Sequence, residues 1–102
     1  MPVYVDFARN PLGRMRMSHM LADSLDELLA MADTIGLDRR HFQPGSHPHF
    51  DVCQAYRAKA VAAGAIEVDR RELVAVIRSY RSRLATDPQE RASLAALSQR
   101  RR

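Results

Sequence analysis

The sequence predicts a mixed α/β domain, and three observations carry that prediction. Short β-rich runs (Val3–Val5, Met17–Ala22 and Ala65–Val68) alternate with longer segments whose apolar residues recur at helical spacing. Those longer segments open on capping residues, and the first two close on a glycine. The chain has 102 residues, about what a single hydrophobic core occupies. Strands interleaved with helices imply one domain with a small mixed sheet of three or four short strands, packed by three to four helices. Residues 1–85 form its compact part and residues 86–102 a C-terminal helix with an arginine-rich tail.

Val3-Tyr4-Val5 is the first strand, ended by Asp6. Phe7 to Arg16 contains Asn10-Pro11 and Gly13 and is expected to be a loop carrying Arg9, Arg14 and Arg16. Met17–Ala22 is the second strand. Ser24 and Glu27 then have the spacing of a capping box. Leu25, Leu28, Leu29, Ala32 and Ile35 form one helical face, which Gly36 stops, with Leu37 placed for the hydrophobic contact that follows a glycine cap.

His41 to Asp51, HFQPGSHPHFD, is a polar loop with room for a short strand at Pro48–Phe50. Asp51 and Gln54 repeat the box spacing and open an alanine-rich helix that runs to Ala63 and stops at Gly64. Ala65–Val68 is the third strand. Asp69 and Glu72 cap the next helix, whose stripe is Leu73, Val76, Ile77, Tyr80 and Leu84. The last helix starts at Asp87-Pro88 with Glu90 at the box position.

Composition narrows the function classes. The longest apolar run is of the AVAAGAI type, far short of the ~20 residues a membrane span needs. The N-terminus lacks the apolar core of a signal peptide, and the one cysteine, Cys53, cannot pair within the chain. Both point to the cytoplasm. The formal charge of +4 falls to +1 without Arg100, Arg101 and Arg102, so most of the excess is a solvated tail or a nucleic-acid contact.

Three of the four histidines fall within His41–Asp51, and the fourth, His19, lies in SHMLAD. If the strands run parallel, Asp6 and Asp23 gather at one edge of the sheet, where α/β proteins bind ligands. His47 and His49, two apart on an extended segment, point the same way. Imidazoles with carboxylates suit zinc, manganese or iron, and carboxylates alone suit magnesium. The expected metal set is Asp6, Asp23, His47 and His49, with His19, His49 and Asp51 as catalytic groups. Arg9, Arg14, Arg16 and Gln43 are the expected binders of a small anionic or phosphate-containing ligand.

Competing duties stand beside each. Asp51 and Asp23 serve as helix caps, H-x-H is a weak motif, His19 faces the same way as Met17 and Leu21, and Cys53 is a small buried residue. Three functions are compatible with these residues: metal-dependent hydrolysis of a phosphoester, non-catalytic capture of a nucleotide-like anion, and an interaction module for protein or nucleic acid. Arg70, Arg71, Arg78 and Arg81 concentrate arginine on one helix, an arrangement also met on solvated faces. Oligomeric state is not encoded in any of these motifs.

VYVD, the arginine loop, SHMLAD with DEL, HFQ, PHFDV and GAIEV followed by REL together resemble one family of small bacterial and phage proteins, domain of unknown function 4031. The resemblance spans about Met1 to Leu73. Where that family carries a second aspartate after VYVD and the motif H-Y-D, this chain has Phe7 and Phe50. Phe7 takes paired carboxylates off the first strand, whereas Phe50 keeps the aromatic packing. The resemblance implies boundaries and no activity.

Overall fold

The computed structural model describes residues 2–44 and 47–100. Among them are six strands and four α-helices in the order β1 (Val3–Val5), β2 (Asn10–Leu12), β3 (Met15–Ala22), α1 (Leu25–Ile35), β4 (Phe42–Gln43), β5 (His49–Cys53), α2 (Gln54–Ala62), β6 (Ile66–Glu67), α3 (Arg70–Thr86) and α4 (Pro88–Arg100). A 3₁₀ turn at Arg39–His41 precedes β4. The class is the expected one, with more strands than the three or four anticipated.

The sheet runs β4-β5-β3-β1-β6, with β2 also paired to β3. All of its pairs are antiparallel except β1 with β6, which is parallel. β3 is the central strand, bordered by β5 on one edge and by β1 and β2 in succession on the other.

The expected loop between Phe7 and Arg16 is therefore a strand and a hairpin. Leu12 pairs with Met15, and the two-residue turn has Gly13 at φ 59°, the glycine placement of a II′ hairpin turn. Pro11 is tolerated because β2 lies at an edge.

Alternation along the strands divides the sheet into two faces. Val3, Val5, Met20, Ala22, Phe50 and Val52 point into the core, where α1 and α2 cover them. Phe42 and Phe50 are paired across β4 and β5, with ring centroids 5.8 Å apart in an edge-to-face arrangement. The leucine stripe of α1 is buried as its spacing predicts, and Gly36 at φ 79° terminates the helix, with the Leu37 amide donating to the Ala32 carbonyl. Ser24 caps α1 through its hydroxyl oxygen, but Glu27 accepts from the Ser24 hydroxyl instead of from its backbone.

The Asp69/Glu72 capping box opens α3 in full. At the other expected caps the outcome differs. Asp51 is not an N-cap: it lies inside β5, and α2 begins after Cys53, which has no side-chain capping bond and precedes the helix. Glu90 does not close a box at α4; Asp87 caps its backbone, and its carboxylate reaches elsewhere. Leu94 and Leu97 of α4 pack against the core. Among the described residues no helix is long and apolar enough to cross a membrane.

Candidate functional site

The chain advances five positions, from Val5 to Asn10, while β3 moves back only three, from Met20 to Met17. Residues 6–9 thus stand opposite residues 18–19, and the edge bulges. A bulge strands ladder donors, and here Asp6 satisfies them. Its Oδ1 accepts from the backbone N–H of His19 at 2.8 Å and of Ala8 at 3.2 Å. Ser18, also buried, donates to the Ala8 carbonyl and accepts from Gln54 Nε2. The other oxygen of Asp6, Oδ2, lies 2.7 Å from His19 Nδ1.

One buried carboxylate thus closes the strand ladder and fixes an imidazole. Burial pushes Asp6 upward, but the hydrogen bonds from the His19 ring and backbone outweigh it and hold the carboxyl below its usual value. The same bond raises His19 above the ordinary histidine value, against burial, with the charges of Asp6 and Asp51 adding to the rise.

Register brings the remaining groups together. His19 faces Asp51 across β3 and β5, and Gln43 faces His49 across β4 and β5. The side chains of His19, Asp51, His49 and Gln43 therefore share the sheet face opposite α1 and α2. His49 Nδ1 is 3.0 Å from the His47 carbonyl; a carbonyl only accepts, so Nδ1 carries the proton. Both Nε2 atoms then lie near one oxygen, Asp51 Oδ1: His49 at 3.4 Å and His19 at 4.0 Å.

The rings of His19 and His49 are 5.7 Å apart, and His47 stacks obliquely on His49 at 4.9 Å. Burial lowers His47, with electrostatic repulsion from its neighbours adding to the effect. His19 is 30% exposed, so it is open to a ligand.

Beside His19 is a cleft of about 490 Å³ lined by Asp6, Phe7, Ala8, Asn10, Arg70 and Leu73. Its arginine is Arg70, from the first turn of α3. Arg9, Arg14 and Arg16 are instead exposed around the β2–β3 hairpin and do not line this cleft. Asp23 is also elsewhere. Because β1 and β3 are antiparallel, Asp6 and Asp23 sit at opposite ends of the pair, and Asp23 accepts from the Tyr4 hydroxyl at 3.0 Å. Expecting them at one edge required parallel strands.

Among the described residues no group of three His, Cys, Asp or Glu side chains is arranged to hold a metal ion. Gly45 and Ser46, inside the histidine-rich stretch, and Arg101 and Arg102 of the tail lie outside the described residues.

Two functional candidates had little sequence signal. Arg70 was visible only as part of an arginine-bearing helix. Arg57 of α2 donates to the Asp6 carbonyl, pairs with Glu67 at 2.9 Å and lies 4.9 Å over the Phe7 ring. Neither role can be read without the packing of the helices on the sheet.

Fold and site together define a small mixed α/β domain with a histidine–aspartate cluster on one sheet face. The chain belongs to the family described as "Protein of unknown function (DUF4031)", which matches residues 3–80. Neither a curated protein nor a solved structure matches it.

Proposed function

We propose that this chain is an acid–base phosphoesterase in which His19 and His49 handle the protons. One observation carries the reading: each imidazole has its Nδ1 engaged by an acceptor, while both Nε2 atoms lie beside Asp51 Oδ1. A carboxylate behind an imidazole orients it and stabilises its charged form. His19 is therefore the acid. His49, its Nδ1 proton held by the His47 carbonyl, offers Nε2 as the base. As water attacks phosphorus, His49 takes a proton from it, and the Nε2 proton of His19 passes to the leaving oxygen as the P–O bond breaks. One water is consumed, and an alcohol and a phosphate leave. Arg70 at the cleft supplies charge for the phosphate oxygens.

The test is hydrolysis of bis(4-nitrophenyl) phosphate by untagged protein in EDTA between pH 5 and 8. His19→Gln and His49→Gln should each lower turnover by about 10²–10⁴-fold while both variants stay folded at the assay temperature. Turnover unchanged in both variants would sink the reading.

The shared oxygen also favours a second reading, a divalent cation between the Nε2 atoms of His19 and His49 and the carboxylate of Asp51. Asp6 and the His47 carbonyl would then be the outer partners that orient the ligands. The donor set suits zinc or manganese, but the side chains would have to draw closer. Metal measured in untagged wild-type protein and absent from His49→Ala, with turnover lost in EDTA, would put this reading first.

A further inference from the structure

We infer that one face of α3 is a track for single-stranded nucleic acid leading into the His19 cleft, an inference that rests on the acid–base reading for what happens at the cleft. Arg70, Arg71, Val74, Ala75 and Arg78 recur at i, i+1, i+4, i+5 and i+8, so they share one side of the helix. Together they line a groove of about 740 Å³ in which three of five residues are cationic and none is acidic. Arg70 borders both this groove and the cleft that holds His19. The two openings therefore share one arginine.

From Arg70 to Arg78 the helix rises about 12 Å, enough for more than one phosphate of an extended strand. Val74, 39% exposed between the arginines, offers an apolar surface to a sugar or base.

The second component is Phe7. Its ring is 61% exposed and lines the same cleft as Arg70 and His19. Arg57 lies over the ring and is itself tied to Glu67 and the Asp6 carbonyl, so the aromatic has a support. A cationic groove with an exposed aromatic beside it is the combination that holds single strands, through phosphate contacts and base stacking. A duplex keeps its bases stacked inside, leaving Phe7 without a partner.

The test is fluorescence anisotropy with labelled 12-nucleotide single-stranded RNA and DNA and the matching duplexes, against the full chain across a salt series. Wild type should bind a single strand more tightly than the duplex, with affinity falling linearly in log–log form as salt rises. Arg71→Glu/Arg78→Glu, both on exposed positions, should lose at least about tenfold in affinity and flatten the slope by about 1.4, two phosphates at ~0.7 each. Phe7→Ala should weaken binding by at least about fivefold.

Absence of saturable binding at low salt overturns the track, as does a folded double variant that binds like wild type or a duplex bound as tightly as a single strand. His19→Gln separates the two ideas, because it should bind the strand normally while losing cleavage. Failure to bind, with turnover of bis(4-nitrophenyl) phosphate intact, removes the track and leaves the acid–base site standing. Binding without turnover of any phosphodiester does the reverse.

Discussion

Glu90 Oε2 accepts a 2.9 Å hydrogen bond from the backbone N–H of Leu25, joining the last helix to the first across 65 residues. The same oxygen accepts from the Tyr80 hydroxyl at 2.7 Å. A carboxylate at a helix N-terminus meets unsatisfied amides and the positive end of the helix dipole. Burial, then the bond and charge of Glu90, push the Tyr80 hydroxyl upward, so the tyrosine stays a neutral donor. Glu90→Ala strands two buried donors and should cost about 2–4 kcal/mol in urea unfolding. Glu90→Gln keeps an acceptor and should cost clearly less. Equal losses in the two variants would show that the space filled matters and the hydrogen bonds do not.

The Asp6–His19 pair makes stability depend on pH from both sides. His19 is raised above 6.5 in the folded chain, so its contribution is complete below pH 6.5 and is lost as pH rises through the folded value. Asp6 is lowered below 3.8, so its contribution is complete above that pH and is lost as pH falls through the folded value. The pair therefore stabilises most between about pH 4 and 6.5. Melting temperatures of wild type and His19→Gln should diverge in that window and converge as pH is raised to 9. A constant difference across the range would contradict the linkage.

Asp6→Ala should be worse for the fold than His19→Gln. Removing the carboxylate leaves the amides of Ala8 and His19 without their acceptor at a bulge, a loss of about 2–4 kcal/mol. Replacing the half-buried imidazole removes one partner of an otherwise intact ladder and should cost about 1 kcal/mol. Denaturant midpoints at pH 7 decide the order.

Gly36→Ala should destabilise by about 1–2 kcal/mol, because an L side chain resists the left-handed conformation. A Cβ there would meet nothing within 4 Å, so the loss would come from backbone strain without any clash. A thermal melt of the variant that matches wild type would refute it.

Periodic and capping signals were legible in the sequence because they are local. The leucine stripe of α1, the Gly36 stop, the Asp69/Glu72 box and the VYV strand each depend on residues within a few positions of one another. The site was half legible for the same reason. His19, His49 and Asp51 stood out as residue types, and register brings them to one face. Asp23 lies away from the site because β1 and β3 are antiparallel, and strand direction is a property of topology that leaves no mark on the strand itself.

The D-x-x-Q spacing at Asp51 fits a capping box, yet strand pairing with β3 overrides that local option. The hairpin at Gly13 was hidden by Pro11, which marks a loop unless the strand is known to lie at an edge. The helix-borne Arg57 and Arg70 acquire meaning only from where α2 and α3 rest.

Asp6 follows β1 while His19 and Asp51 lie in β3 and β5, and His19 has its aspartate only once the edge around residues 6–9 has closed on β3. The proton on His19 Nδ1 is therefore a reporter of assembly as well as a part of chemistry. A chain that had formed its helices but not that edge would hold a histidine of ordinary basicity. Readiness to transfer a proton would then appear together with the closing of that edge on β3.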